Sequence, residues 1–140
     1  MTYSEKRMNL FEAPEDYMLA HCISSDCALG AGIAVEFQKR FKIRNKLKTH
    51  SIEELKHPTC IRVGRVYNLI TKKIAWGKPT YDSVEKSIVL MKQQAINDCI
   101  EKIAMPKIAS GLDGLSWPRI REMVQKTFED TEIEILICYM

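Results

Sequence analysis

A few stretches of this chain carry residues able to do chemistry. Gly30-Ala31-Gly32 and Ala109-Ser110-Gly111-Leu112-Asp113-Gly114 bear glycines, and each lies between a strand-like run and a helix-like one. In that position backbone N–H groups converge at a helix amino terminus and can receive an anion. Two such loops suit a diphosphate. Lys72 ends the run VYNLITK, and Asp113 stands in Gly-Leu-Asp-Gly. Taken singly, both are ordinary: a lysine closing a strand is usually a solvated surface group, and an aspartate between glycines is usually a turn residue or a cap. His21 resembles a general base, but it lies inside the apolar run LAHCIS, where a packed, hydrogen-bonded imidazole is at least as good a reading. Trp76 and Tyr81 suit either a cleft wall or a cover for the core, and Trp117 suits the packing of a helix start.

Several motifs are missing. There is no G-x-x-x-x-G-K-[ST] loop, and Gly30-Ala31-Gly32 runs on into Ile33, Ala34 and Val35 rather than completing G-x-G-x-x-G. A nucleoside triphosphatase or a dinucleotide oxidoreductase is therefore unsupported. Five cysteines, Cys22, Cys27, Cys60, Cys99 and Cys138, form an odd set with no export signal at the polar amino terminus. That argues against a disulfide framework and for reduced, mostly buried thiols. Cys22 and Cys27 have no second pair to complete a zinc site, and adjacent His21 and Cys22 point to opposite faces of a strand.

The elements that must hold these groups are readable from periodicity. Tyr17 to Ser24 reads as a buried strand, and Cys60–Gly64 and Val66–Lys72 as two more with Gly64-Arg65 between them. Lys102 to Ile108 reads as a strand with Pro106 near its end, and Glu132 to Tyr139 as the closing strand. Ile33, Phe37 and Phe41 recur every four residues within a helix over Gly32–Phe41. Ser51-Ile52-Glu53-Glu54 matches a capping box before a short helical turn. Asp82 opens a helix whose apolar face is Val84, Ile88, Met91, Ala95 and Cys99. Ser116 and Pro118 open another, lined by Ile120, Met123, Val124, Thr127 and Phe128. Strands alternating with helices argue for an α/β domain with a largely parallel sheet, whose ligands bind beyond the carboxyl ends of the strands.

The 140 residues fit one compact domain. Apolar residues make up 46% and charged residues 28%, and no apolar run approaches the length of a membrane span. The expected address is cytoplasmic, or nuclear in a eukaryote. A net charge of +3 is too small to argue for nucleic-acid binding by itself. The charge is uneven. Lys39, Arg40, Lys42, Arg44, Lys46 and Lys48 form a basic stretch, and Glu129, Asp130, Glu132 and Glu134 an acidic one. A solvated helix end is the plainer reading of the basic stretch, and a surface for a phosphate-rich partner the sharper one.

NLFEAP (9–14), LAHCISSDCALGAGIAVEFQKRF (19–41), YNLITKK (67–73), KPTYDSVEKSI (78–88) and MPKIASGLDGLSW (105–117) together resemble the macrodomain superfamily. The similarity is greatest to the branch of the terminal ADP-ribose protein glycohydrolases, with a further likeness to macrodomain antitoxins that strip ADP-ribose from DNA. The segments occur in family order over nearly the whole chain. The resemblance implies a single macrodomain over 1–140: an α/β fold, three-layer α/β/α, with a mixed, largely parallel central sheet. It implies an ADP-ribose site made by Asn9, Leu10, Ser24, Gly30, Ala31, Gly32, Ile33, Ala34, Thr71, Pro106, Ile108, Ala109, Ser110, Gly111 and Leu112. Leu10 would pack near the adenine, the 30–34 segment with Ser24 would hold the phosphates and distal ribose, and the 109–112 segment would wrap the other side.

By the same resemblance Lys72 is the nucleophile and Asp113 its partner acid. The implied activity is hydrolysis of mono-ADP-ribose from glutamate and aspartate esters and from O-acyl-ADP-ribose. The chemistry is coherent: the anomeric carbon is latently an aldehyde, and a neutral amine adds to it and forms an imine-type intermediate. A free lysine, with a pKa of about 10.4, needs desolvation or a neighbouring cation to become neutral. No metal or cofactor is expected. The expected partners are ADP-ribose and mono-ADP-ribosylated proteins, with a monomeric enzyme and no membrane. ADP-ribosylated DNA is an alternative substrate, supported by the basic stretch, and a non-catalytic ADP-ribose reader is a further alternative. Two departures stand out. Macrodomains generally carry Gly-Asp where this chain has Met8-Asn9, so the adenine-reading carboxylate becomes an amide. The second loop reads Ala109-Ser110-Gly111 where relatives have more glycine.

Overall fold

The computed structural model describes all residues, Met1–Met140. Six strands form one sheet: β1 (Thr2–Arg7), β2 (Met18–Ser24), β3 (Thr59–Val63), β4 (Val66–Lys72), β5 (Lys102–Met105) and β6 (Glu134–Tyr139). Their order is β1-β6-β5-β2-β4-β3. Every neighbouring pair is parallel except β3–β4, which is antiparallel. The sheet is mixed and largely parallel, as expected.

Helices α1 (Ile33–Phe41) and α2 (Ile43–Leu47) cover one face, and α3 (Tyr81–Asn97) and α4 (Trp117–Phe128) the other. The period-two alternation of the strands divides the core between them. Ile103, Met105, Ile135 and Ile137 pack with Val84, Ile88 and Met91 of α3 and Ile120, Val124 and Phe128 of α4. Ala104, Leu136 and Cys138, the alternate residues, pack with Phe37 of α1 and Ile43 and Leu47 of α2. Each fully buried Leu, Ile or Phe side chain contributes about 1.5–3 kcal/mol relative to exposure. The layers are thus α/β/α.

Local chemistry fixes the ends of the elements. Thr80 caps α3 reciprocally with Ser83, two residues earlier than the sequence pattern placed the start. Ser116 occupies the N-cap position of α4 without capping through its side chain, and its N–H instead donates to Tyr81 Oη at 2.9 Å. The Ser51–Glu54 capping box forms both of its hydrogen bonds, at 3.1 Å each, on a single turn. Cys99 departs from its expected place on the apolar face of α3. The helix ends at Asn97, and Cys99 follows it in a left-handed conformation, φ 56°, exposed.

Candidate functional site

Chain connectivity opens a cleft at the carboxyl ends of the central strands. β2 lies between β4 and β5. The chain leaves β2 toward α1 on one face and leaves β4 toward α3 on the other. The connections part above β2, and a cleft of about 410 Å³ lies between them. At its floor the β2–β4 register shifts: Ile23 faces Ile70, but Ser24 faces Lys72. The extra residue on β4 turns the strand end, as bulges do, and Lys72 lines the cleft.

Asp113 meets it from the opposite loop. Lys72 Nζ donates to Asp113 Oδ1 at 2.8 Å, with both side chains largely withdrawn from solvent at 15% and 14% exposure. The partner that the structure gives Lys72 is thus a carboxylate. Lys73 is exposed and does not line the cleft. A direct hydrogen bond between ammonium and carboxylate provides a one-step route for a proton off the amine.

The two glycine segments form facing walls. Gly30, Ala31, Gly32, Ile33 and Ala34 line one side; Ile108, Ala109, Gly111 and Leu112 line the other, with Pro106 nearby and Ser24 at the floor. Gly32 is the N-cap of α1 at φ 60°, ψ −149°, a region that residues with a Cβ scarcely visit. It has no side chain to cap the helix, which leaves the first N–H groups of α1 to an incoming anion. A Cβ there would also stand 3.3 Å from Leu112 Cδ1 across the cleft. On the second wall Ala109 adopts φ 59°, a left-handed conformation that glycine takes without cost.

Asp26, not singled out by its sequence context, fastens the base of the first wall to the loop after β4. Its carboxylate accepts from the Ser24 hydroxyl, from Ala28 N at 3.2 Å and from Ala75 N at 2.9 Å, tying the loop after β2 to the loop after β4. Partial burial pushes its pKa up. The Ser24 hydroxyl, the two backbone N–H groups and the charge of Lys72 outweigh that and hold it below the ordinary carboxylate value. Lys78 Nζ closes the other end by donating to the Leu112 carbonyl at 2.6 Å. Arg44 donates to the Cys27 and Ala28 carbonyls, so one member of the basic stretch serves to fasten the Gly30 loop.

A second cleft of about 530 Å³ continues from the first, sharing Ile33, Pro106 and Lys107 with it. Asn9 and Leu10 lie here, with Met8, Phe11 and Tyr139. Asn9 caps the short 3-10 turn Leu10–Glu12, its Oδ1 accepting from Phe11 N at 2.9 Å. The Arg40 guanidinium lies 4.6 Å above the Phe11 ring and is paired with Glu36 at 3.1 Å.

Of the residues expected in the ADP-ribose site, two do not line either cleft. Thr71 is buried at 1% exposure, and the Ser110 hydroxyl turns back to the Lys107 carbonyl at 2.7 Å. His21 is packed: fully buried, stacked on Phe37 with ring centroids 3.8 Å apart, its Nε2 2.6 Å from Asn68 Oδ1. Burial lowers its pKa to about 4 against the opposing pull of the Asn68 hydrogen bond, so the ring is neutral at pH 7. Cys22 does line the cleft, but burial first, and then the Asp113 carboxylate, push its thiol pKa far up and deny it nucleophilic character. Tyr81 carries the Arg119 guanidinium 3.8 Å above its ring, and Trp117 packs against the core. Trp76 stands at the cleft rim, 80% exposed.

No protein-family profile matches the chain. Over 130 residues it is 41% identical to the human ADP-ribose glycohydrolase OARD1, a match covering 92% of this chain and 86% of that protein. The macrodomain of Thermus aquaticus DarG superposes with a TM-score of 0.87 over 99% of this chain and 98% of that one, at 21% identity. The chain belongs to the ADP-ribose glycohydrolase family of macrodomains. This macrodomain is also 24% identical to the DNA ADP-ribosyl glycohydrolase of Thermus aquaticus, over 90% of its own length and 38% of that longer protein. Thermosipho africanus DarTG, solved in complex with ADP-ribose, matches with a TM-score of 0.80 over 99% of this chain and 42% of that one, at 15% identity.

Proposed function

We propose that this macrodomain binds ADP-ribose across the two joined clefts and hydrolyses it from acyl esters of glutamate and aspartate and from O-acyl-ADP-ribose. Lys72 is the nucleophile and Asp113 the acid–base. The observation that carries the reading is the Lys72–Asp113 contact of 2.8 Å between two loops suited to a diphosphate. The human relative is named an ADP-ribose glycohydrolase, which supports the general activity.

In this reading Asp113 Oδ1 takes the Nζ proton directly, and the freed lone pair attacks the anomeric carbon of the distal ribose. The carbon–oxygen bond to the acyl group breaks, and the carboxylate leaves with its electron pair. The attached nitrogen loses a proton to solvent. Asp113 then protonates the ring oxygen as the sugar opens to an imine. As a carboxylate again, Asp113 accepts a proton from the water that adds to the imine carbon. Asp113 passes that proton to the nitrogen, the new hydroxyl gives up its own to solvent, and cleavage of the carbon–nitrogen bond returns the lysine and free ADP-ribose.

A second reading, hydrolysis of ADP-ribosylated DNA, draws on the exposed Trp76 at the cleft rim beside Lys78, where a displaced base can stack. A panel of acidic-residue, serine, arginine and DNA-linked ADP-ribose, with release of ADP-ribose measured, tests both. Fastest release from the acyl ester supports the first reading, and fastest release from DNA with a steep salt dependence supports the second. Binding without release from any substrate makes the protein a reader.

A further inference from the structure

Lys72 stands at a weakly supported end of the sheet. β3 begins at Thr59 opposite Ile70, so β4 runs past it and Lys72 has a neighbouring strand on one side alone. On that side the ladder is broken by the shift that sets Ser24 opposite Lys72. A lysine carries its amine at the end of a long, flexible stem, so a small turn of the strand end swings Nζ far. The Asp113 ion pair holds Nζ at 2.8 Å while it is an ammonium. Once the proton has passed to Asp113, that attraction between charges is gone. The amine then keeps its aim through the backbone beneath it.

That backbone is pinned at both ends. Ser25 N donates to the Lys72 carbonyl at 2.9 Å. Further on, Ala75 N donates to Asp26 Oδ2 at 2.9 Å. Asp26 is itself fixed, because its other oxygen accepts from the Ser24 hydroxyl and from Ala28 N at 3.2 Å. We propose that Asp26 is a positioning residue for hydrolysis: through Ala75 it fixes the segment that aims the Lys72 amine. The inference rests on the reading of Lys72 as the nucleophile. The first wall of the cleft keeps other fastenings, since Arg44 donates to the Cys27 and Ala28 carbonyls and Cys27 N donates to the Ser24 carbonyl at 3.0 Å. Loss of the Asp26–Ala75 contact therefore falls on the placing of the amine rather than on the loop suited to the diphosphate.

Two variants break this contact from opposite ends. Asp26→Ala removes the acceptor. Ala75→Pro removes the N–H and leaves Asp26 its bonds to Ser24 and Ala28. The φ of Ala75 is not positive, and the residue follows Ile74 in the turn closed by Gly77 N donating to the Ile74 carbonyl at 3.0 Å. Proline is favoured there, so the turn persists. Release of ADP-ribose from an acyl ester gives kcat and KM, and calorimetry gives the ADP-ribose Kd, for the parent, both single variants, the double variant and Lys72→Ala. The expected result is a kcat lower by roughly 10–100-fold in each single variant, the cost of a misplaced reacting group, with KM and Kd those of the parent. The double variant should be no slower than the slower single one, since one contact is lost once. Parent kcat in either single variant, a fall in kcat matched by an equal loss of affinity, or a double variant slowed by the product of the two overturns the inference and leaves the hydrolase reading standing. Release at the parent rate by Lys72→Ala, or no release by the parent, overturns the hydrolase reading and the inference with it.

Discussion

Gly32→Ala tests whether the first loop is a preorganised phosphate cradle. Gly32 sits at φ 60°, ψ −149°, where an alanine is strained by about 1–3 kcal/mol. Alanine returns about 0.4–1 kcal/mol by restricting the unfolded chain, which leaves a net loss of about 1–2 kcal/mol. With an unfolding entropy of about 2.1 cal/mol/K per residue, the 140 residues convert this into a Tm lower by about 3–7 °C. If the loop relaxes instead, the first N–H groups of α1 turn away from the diphosphate. Each hydrogen bond lost to a charged group costs about 1.5–3 kcal/mol, so ADP-ribose affinity falls by roughly 10–100-fold. Gly30→Ala is the control. Its φ is not positive, and an added Cβ meets nothing closer than the Ala28 carbonyl at 3.9 Å. It should stay within about 0.5 kcal/mol of the parent. Thermal melts and calorimetry on the three proteins decide the matter. A Gly32→Ala protein with unchanged Tm and unchanged affinity refutes the argument.

Further outcomes follow from the same geometry. Lys72→Ala should abolish turnover while ADP-ribose still binds, because the loops hold the diphosphate. Lys72→Arg should be as inactive, since a guanidinium does not give up its proton at neutral pH, whereas Lys73→Ala should keep activity. Release assays beside calorimetry check all three. His21 has a folded pKa of about 4 against an ordinary 6.5, so between those values the unfolded chain binds more protons. Stability from this residue is complete above pH 6.5 and falls as the pH drops toward 4, by about 3 kcal/mol in all. Urea unfolding across that range should show a loss in the parent that His21→Gln, which retains a partner for Asn68, lacks.

The parts legible in the sequence are those in which one local pattern sets one outcome. The Val84-Ile88-Met91-Ala95 face of α3 and the runs of β2 and β4 are buried where periodicity placed them. Other features depend on partners far along the chain. β1, with sequence TYSEKR, has little apolar alternation. It is an edge strand that exists because β6, at the far end of the chain, pairs with it in parallel. α2 is only five residues long, and its buried pair Ile43 and Leu47 is masked by the surrounding basic side chains. Asp26 carries no signal in its own stretch of sequence, since its decisive contact is with Ala75, 49 positions away. The motifs containing Lys72 and Asp113 are visible in the sequence, but their distance is not: it depends on the bulge at Ser24–Lys72 and on the loop after β5 reaching the end of β4. Asn9 stood out as an amide in place of an acid. That its oxygen accepts from Phe11 N–H follows only from the turn it caps.

The measurement that bears most directly on the central claim is a search for ADP-ribose covalently attached to Asp113→Ala. Removing the carboxylate takes away both the base that frees the Lys72 amine and the group that helps water resolve the imine, each a loss of about 10²–10⁴ in rate. The adduct should therefore form slowly over a long incubation and, once formed, persist. The Lys72 amine and both binding loops remain. After mixing with an ester-linked substrate, intact-protein mass spectrometry should show added mass, peptide mapping should place it on Lys72, and the Lys72→Ala/Asp113→Ala protein should show none. An adduct mapped to any other residue contradicts the assignment of Lys72. Release of ADP-ribose by Asp113→Ala at the parent rate contradicts the role of Asp113.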